Sequence, residues 1–309
     1  MYIDLHCDTI TVLNKHQQSL WDNEMMVSLK KGKDLDQWIQ TYAIYIPDSL
    51  RGQSAIAFYE DSLQYFHRQI RDNTQHLVWI RRGSDMERAF REKKSGGILA
   101  VEGGSVLAGD LKRVEKIAND GVQFLTLTWN GKNEIGSGNV TEEGLSGFGR
   151  EAVSELERCG ITIDVSHLND QGFEDLLKIA KKPFIATHSD VRAVCGHKRN
   201  LTDDQFREIV RRGGIVGVNF CTAFLNDDKE KAGLPDLLRH VEHMLMLGGE
   251  NTIAMGSDFD GCVTPPEMNS VEKLADIQSY LLQGGIPKTI VEKIMGGNAY
   301  RFLQKTLEP

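Results

Sequence analysis

The sequence predicts an α/β protein of the (β/α)8 TIM-barrel type, formed as a single domain by residues 1–309. Eight short apolar runs, rich in β-branched and aromatic residues, alternate with longer segments of helical periodicity. The runs are apolar throughout, as parallel strands covered on both faces must be. A chain of 309 residues with 40% hydrophobic content is long enough to build one large core of this kind.

The elements follow one another in a regular order. The predicted strands cover residues 2–5, 42–46, 97–101, 124–128, 161–165, 183–187, 214–218 and 252–256. The predicted helices cover residues 54–71, 84–93, 110–119, 151–158, 173–181, 203–212 and 235–247. Two of these helices fall between the second and third strands, so we expect a helical elaboration of the barrel there.

Capping residues support the helix placements. Ser84-x-x-Glu87 and Thr202-x-x-Gln205 are capping-box patterns, which predict helix N-termini. Gly160 and the pair Gly248-Gly249 stand where helices should end. We see no Pro- or Ser-rich linker that would mark a second domain.

Composition restricts the partners and the compartment. Forty-four acidic against thirty-six basic residues give a net charge of −8, which argues against nucleic acid as a partner. Five cysteines, at 7, 159, 195, 221 and 262, form no CxxC pair and are typical of a reducing compartment. No apolar run approaches the length of a membrane span, and the first residues do not resemble a signal peptide. We therefore expect a cytoplasmic protein with no membrane partner.

Side chains of metal-ligand type follow the predicted strands directly. In a barrel of this type the active site lies at the carboxyl ends of the strands, so such residues should face one cavity. His6 and Asp8 leave the first strand side by side, because alternate residues of an extended chain share a face. Imidazole and carboxylate suit zinc and its first-row neighbours. The remaining candidates after later strands are Glu102, His167, His188 and Asp258.

Three histidines and three carboxylates exceed the needs of one ion. Glu102 can bridge two ions, with His6 and Asp8 on one and His167 and His188 on the other, an arrangement used for hydrolysis. The competing interpretation is that each histidine is a helix-capping or core residue. Three histidines directly after strands argue against that coincidence.

The motifs that carry these residues resemble the membrane (renal-type) dipeptidase family, peptidase M19, from the first residues nearly to the last. Members of that family are zinc dipeptidases with a (β/α)8 fold, related to the wider amidohydrolases. The matching motifs are His6-Cys7-Asp8, Val101-Glu102-Gly103-Gly104, Leu125-Thr126-Leu127-Thr128, Asp164-Val165-Ser166-His167, Thr187-His188-Ser189 through Lys198-Arg199-Asn200-Leu201, Gly256-Ser257-Asp258-Phe259-Asp260-Gly261 and Gly296-Gly297-Asn298.

The resemblance implies two zinc ions with the same division of ligands, and a metal-bridging hydroxide as the nucleophile. It also implies that Asp258 handles the proton of that hydroxide and that Arg199 holds the free carboxylate of a small dipeptide substrate. A planar guanidinium fork suits a carboxylate. Without the resemblance, Lys198-Arg199 could equally be a solvated basic pair.

One position departs from the pattern of the family. Relatives carry a histidine directly after the Leu-Thr-Leu-Thr strand, and this chain has Trp129 there. Indole offers one N–H donor and no protonatable nitrogen. We expect Trp129 and Asn130 to line the substrate site, with Asn133 as a second amide nearby. The departure bears on the substrate class more than on the metal site.

Two alternatives stay open. One is a related metal-dependent amide or lactone hydrolase with a shifted substrate range, and the other is a non-catalytic metal-binding barrel. Asp258 favours an enzyme, because a desolvated carboxylate costs stability unless it has a partner or a task. The sequence leaves open the preferred dipeptide side chains, the acceptance of D-residues, the metal used in the cell and whether the chain forms a homodimer.

Overall fold

The computed structural model describes residues 1–307, which form a parallel sheet with helices packed around it. The eight strands of this sheet are β1 Tyr2–Asp4, β2 Trp38–Tyr45, β3 Leu77–Trp79, β4 Ser95–Glu102, β5 Val122–Thr126, β6 Thr162–Asp164, β7 Val216–Val218 and β8 Ile253–Met255. Their hydrogen-bonded order is β6-β5-β4-β2-β1-β8-β7, with β3 paired to β4 off this path. The predicted parallel α/β class is confirmed.

Helices alternate with the strands. They are α1 Thr9–His16, α2 Gln53–Asp72, α3 Gly83–Arg91, α4 Lys112–Asn119, α5 Gly147–Cys159, α6 Asp170–Ile179, α7 Asp203–Arg212, α8 Thr222–Leu225, α9 Leu234–Met246, α10 Leu274–Gln283, α11 Lys288–Glu292 and α12 Asn298–Thr306. Within residues 1–307, every helix is too short or too polar to cross a bilayer.

The connection between β2 and β4 contains α2, β3 and α3. The sequence predicts two helices in this connection but not β3, which pairs with β4 from Leu77 opposite Ser95 to Trp79 opposite Gly97.

The predicted strand at 183–187 is not a regular strand. Two isolated parallel bridges join it to its neighbours, Asp164 to Ile185 and Ala186 to Val216. The side chain of Asp164 accepts the backbone N–H of Thr187 at 2.9 Å, in the place where a further ladder bond would form. The segment nevertheless lies between β6 and β7, so His188 emerges at the same edge as the other strand ends.

Helix ends follow the capping signals in most cases. Thr202 and Gln205 form the predicted capping box, with backbone-to-side-chain bonds of 3.2 and 2.9 Å. The capping box predicted at Ser84 is wrong. Helix α3 begins at Gly83, and Asp85 Oδ2 accepts the backbone N–H groups of Arg81 and Arg82. Gly160 ends α5 in the left-handed conformation, with φ of 77°.

Two apolar clusters hold the sheet. The larger lies between the sheet and the surrounding helices, and the smaller contains alternate strand residues such as Ile98 and Ala100 together with α12. The turn at Lys293–Gly297 that leads into α12 approaches Met1, next to the amino end of β1. The amino ends are therefore covered, and the opposite edge of the sheet is left for the polar residues.

Candidate metal and catalytic site

A cavity of about 330 Å³ opens at the carboxyl ends of the strands. The sheet brings side chains from distant parts of the chain to this edge, because its strands are parallel. The predicted site residues in the cavity wall are Asp8, Glu102, Trp129, Asn130, His167 and Asp258.

Glu102, the last residue of β4, stands at the centre of the cluster and is 3% exposed. Its Oε1 atom is 2.9 Å from His167 Nε2 and 3.4 Å from His188 Nε2. Its Oε2 atom is 3.7 Å from His6 Nε2. One carboxylate thus presents a separate oxygen to imidazoles on either side.

His6 connects Glu102 to two further carboxylates. Its Nε2 atom is 3.5 Å from Asp8 Oδ2 and 4.0 Å from Asp258 Oδ1. His6 Nε2 and Asp8 Oδ1 are both buried and find no hydrogen-bond partner within residues 1–307. Ligand atoms within 4.8 Å of one another form two groups, His6 with Glu102 and His188, and His6 with Asp8 and Asp258.

His167 and His188 point their Nε2 atoms at each other across 3.1 Å. The opposite ring nitrogens are already engaged, Nδ1 of His167 with Asn130 Oδ1 at 2.9 Å and Nδ1 of His188 with Thr187 Oγ1 at 2.7 Å. Two nitrogen lone pairs at this separation need a proton or a cation between them.

Burial and charge set the protonation of the imidazoles. Burial, with the positive charges of Arg199 and His6, lowers the pKa of His167 and of His188 well below the usual histidine value. Both rings are therefore neutral near pH 7, as metal ligands must be. Burial also lowers the pKa of His6, but the nearby carboxylates, led by Glu102, outweigh it and raise this pKa to about 10.

The donor set fits a divalent metal. The negative potential that raises the pKa of His6 would equally attract a cation, which would then replace the proton. Imidazole nitrogens and carboxylate oxygens match zinc and its neighbours, and each of His167 and His188 has a partner on its second nitrogen, as metal-bound histidines do.

Asp258 follows β8 with a positive φ of 59°, and His167 likewise has φ of 69°. Such backbone conformations are costly for residues other than glycine and cluster at functional sites. Burial raises the pKa of Asp258 to about 6, although the charge of His6 opposes the shift. This carboxyl group can exchange a proton near neutral pH.

Asn219 is a residue of the site that sequence analysis missed. Its Nδ2 donates to Asp258 Oδ2 at 3.1 Å, and its Oδ1 accepts the N–H of Cys221. Asn219 directly follows the predicted strand at 214–218, so its position alone indicated that it faces the active-site cavity. An amide is not a usual zinc ligand, and a search for metal-ligand types therefore passes over it.

Arg199 is 4% exposed and lies beside the cluster. Its guanidinium donates to Ser189 Oγ at 2.7 Å and to the backbone oxygen of His188 at 2.8 Å, while Nε has no partner among residues 1–307. The guanidinium is 5.7 Å from the ring centre of Phe224, which lines the cavity. Arg199 is thus a buried residue, and the solvated basic pair is excluded for it.

Trp129 is partly buried and packs edge-on against Tyr45, with ring centres 5.0 Å apart. Its ring centre is 6.2 Å from that of His167. Asn133 does not share this position, because its amide bonds the backbone of Leu127, Ile135 and Gly136. The expected second amide is therefore committed to loop structure.

A parallel α/β fold with imidazoles and carboxylates gathered at its strand ends is typical of metal-dependent hydrolases. The chain belongs to the membrane dipeptidase family, peptidase family M19, whose model matches residues 1–308. It is accordingly a metallo-dipeptidase by enzyme class.

Two solved structures agree with this assignment, and a curated relative is similar in sequence. A metallo peptidase of family M19, dipeptidase AC, is 27% identical with a TM-score of 0.94, covering 100% of this chain and 99% of its own. A metallo peptidase from Rhodobacter sphaeroides, liganded with a phosphinate mimic of the dipeptide L-Ala-D-Ala, is 26% identical with a TM-score of 0.93 and 99% coverage of both chains. A protein from the pqqA 5′ region of Klebsiella pneumoniae is 33% identical over 232 residues, which are 72% of this chain and 86% of that protein.

Proposed function

We propose that the protein is a binuclear zinc dipeptidase built as a single (β/α)8 barrel domain. The observation that carries this proposal is the position of Glu102, whose two oxygens face His6 on one side and His167 with His188 on the other. The bridges of residues 185 and 186 to β6 and β7 support a closed barrel.

His6 and Asp8 would hold one ion, His167 and His188 the other, and Glu102 both. The close pairs His6–Asp8, at 3.5 Å, and His167–His188, at 3.1 Å, support this division. Two bound ions would acidify a water to serve as nucleophile and would polarise the scissile carbonyl.

Asp258 would accept the proton of the attacking water and deliver it to the leaving amine. Its Oδ1 atom is on the side of His6, and its raised pKa of about 6 suits transfer in both directions. Asn219 would hold the other oxygen and so fix the orientation of the carboxylate.

A small dipeptide is the substrate class that the site supports best. One similar structure holds a mimic of L-Ala-D-Ala, and a cavity of about 330 Å³ is small enough to select short peptides. Arg199 would bind the free carboxylate of the substrate by redirecting the N–H groups that now contact Ser189 and the backbone of His188.

Trp129 favours a second candidate, an amide or lactone hydrolase with a shifted substrate range, because this bulky ring stands in the cavity wall.

The five cysteines are free thiols, which supports a reducing, cytoplasmic location. A homodimer stays a prediction.

A turnover screen tests the function. Zinc-loaded protein should cleave dipeptides with a free C-terminus faster than simple amides or lactones, and Asp258→Asn should abolish turnover while it retains zinc. Preferred turnover of an amide or lactone would establish the second candidate instead. Zinc binding without turnover of any substrate class would leave a metal-binding barrel.

A further inference from the structure

Asn130 is placed to control the protonation pattern of one proposed zinc ligand. Its Oδ1 atom lies 2.9 Å from His167 Nδ1 and 2.7 Å from Asn139 Nδ2. We propose that Asn130, oriented by Asn139, is a positioning residue that fixes His167 as the Nδ1–H tautomer. The inference rests on the proposed ligation of zinc by His167.

The contacts from Asn139 through Asn130 to His167 form a relay of hydrogen bonds, and the donor and the acceptor of each bond in this relay are fixed. Asn139 presents its Nδ2 to Asn130, and because an amide N–H donates, the atom that it meets there is the oxygen. That oxygen can accept a second bond, which requires a proton on His167 Nδ1. A neutral imidazole carries one N–H, and the Nε2 lone pair is therefore left to face Glu102 Oε1 and His188 Nε2.

His188 reaches the same tautomer by a different route. Thr187 Oγ1 donates to Asp164 Oδ2 at 2.6 Å and so presents a lone pair to His188 Nδ1 at 2.7 Å. Asp164 is fully buried and also accepts bonds from Thr126 Oγ1 and from the N–H groups of Ser166 and Thr187. The relay of His188 thus ends in a buried carboxylate within the sheet.

The relay of His167 ends instead in a loop. Asn139 belongs to the segment between β5 and α5, and the backbone of Val140 donates to the backbone oxygen of Asn130 at 3.1 Å. A neutral amide supplies the acceptor, so its replacement by an apolar group of similar shape removes the bond without burying a new charge. His167 is consequently the imidazole whose ligation depends on the 130–141 loop.

The experiment compares Asn130→Leu with Asn130→Asp, whose side chains branch in the same way as that of Asn and differ in the acceptor. Zinc affinity is measured by competition with a chromophoric chelator, and melting temperatures of the zinc-free proteins check folding. We expect Asn130→Leu to bind zinc about 10- to 100-fold more weakly, as for the loss of other outer partners of metal-bound histidines. Asn130→Asp should stay within a few-fold of the natural protein or bind more tightly.

Two further measurements separate positioning from loop damage and from added charge. Histidine ¹⁵N spectra of the zinc-loaded proteins should show an Nδ1–H of His167 that is protected from exchange with solvent in the natural protein and in Asn130→Asp, and an unprotected one in Asn130→Leu. Asn139→Leu should weaken zinc binding in the same direction by several-fold, whereas Glu142→Gln, an exposed residue of the same segment, should not.

Unchanged zinc affinity in Asn130→Leu, or equal weakening in Asn130→Asp, would overturn the inference. A wild-type protein that binds zinc but cleaves no dipeptide would contradict the proposed function and leave this inference standing. A protein that binds no zinc would contradict both, and the failure would then lie with the metal site itself.

Discussion

Asn219 donates its amide N–H to Oδ2 of Asp258 across 3.1 Å, and Oδ1 of the same carboxylate is thereby directed toward His6. Both residues follow strands of the sheet, β7 and β8, that are hydrogen-bonded neighbours. The amide therefore fixes the rotation of the proposed proton carrier without occupying the oxygen that faces the metal ligands.

The first prediction concerns this pair. Asn219→Ala should lower kcat about tenfold or more, because a hydrogen bond to a charged group is worth about 1.5–3 kcal/mol and the freed carboxylate can rotate away. KM and zinc content should change little, because Asn219 is not a proposed ligand of zinc or substrate. Steady-state kinetics and elemental analysis provide the measurement. A kcat equal to that of the natural protein would show that the orientation of Asp258 does not depend on Asn219.

The second prediction concerns the metals. The zinc-reconstituted protein should contain close to two ions per chain, and Glu102→Gln should reduce both occupancies, because one carboxylate faces both histidine groups. Glu134→Gln, a change in the loop after β5, serves as the control. Elemental analysis that returned one ion per chain with full activity would refute the binuclear arrangement.

The third prediction concerns Arg199. Dipeptides with a free C-terminus should be cleaved, while amidated dipeptides and tripeptides should react about tenfold to a hundredfold more slowly, in line with the loss of a charge-assisted bond. Arg199→Lys should lose most of this preference, because a point charge replaces the planar fork. Arg158→Lys is a suitable control, since that arginine is exposed on α5 and pairs with Glu155. Equal kcat/KM for free and amidated dipeptides would remove Arg199 from substrate binding.

The fourth prediction concerns stability at low pH. His240 of α9 is fully buried, accepts the N–H of Val191 on Nδ1 and donates from Nε2 to the oxygen of Leu225. Burial lowers its pKa from 6.5 to about 4. The unfolded chain therefore binds a proton before the folded protein does, so stability is complete above pH 6.5 and falls as the pH drops toward 4.

When the pH falls from 7.5 to 5, the free energy of unfolding should decrease by roughly 2 kcal/mol because of His240. This figure follows from the difference between the pKa of this histidine in the unfolded chain and in the folded protein. His240→Gln should be less stable at pH 7.5 but should lose correspondingly less stability at pH 5. Urea unfolding of the zinc-free proteins measures the difference, with His16→Gln, an exposed histidine, as the control. Parallel pH profiles for His240→Gln and the natural protein would contradict the assignment.

The clustering of the candidate site residues could be predicted from the sequence because parallel strands place every strand end at one edge. His6, Glu102 and Asp258 needed only an apolar run followed by a polar residue. Asn219 obeyed the same rule and was missed, because its role is to orient a carboxylate rather than to bind a metal. The partners of Asn130 and Asn133 could not be predicted, since they depend on how the loop after β5 folds back on itself.

Sequence prediction and structure differ at two strand positions. β3, which was not predicted, is held by its pairing with β4, and the segment predicted as a strand at 183–187 makes only single bridges, with Asp164 accepting the N–H of Thr187. Both cases reflect tertiary contacts rather than local sequence preference.

The last prediction concerns Trp129, which stands where the family resemblance leads us to expect a histidine. The ring packs edge-on against Tyr45 and stands near His167, a geometry that suits a rigid wall of the substrate cavity. If the indole N–H instead supplied an oxyanion donor, Trp129→Phe should lower kcat about 100- to 1000-fold, the usual loss for such a donor. We expect the wall, so Trp129→Phe should change kcat little, whereas Trp129→Ala should alter KM and the range of accepted dipeptides. Kinetics on a small dipeptide panel, with zinc content measured in parallel, distinguish the two roles. A hundredfold loss of kcat in Trp129→Phe at unchanged KM and zinc content would assign the donor role to the indole.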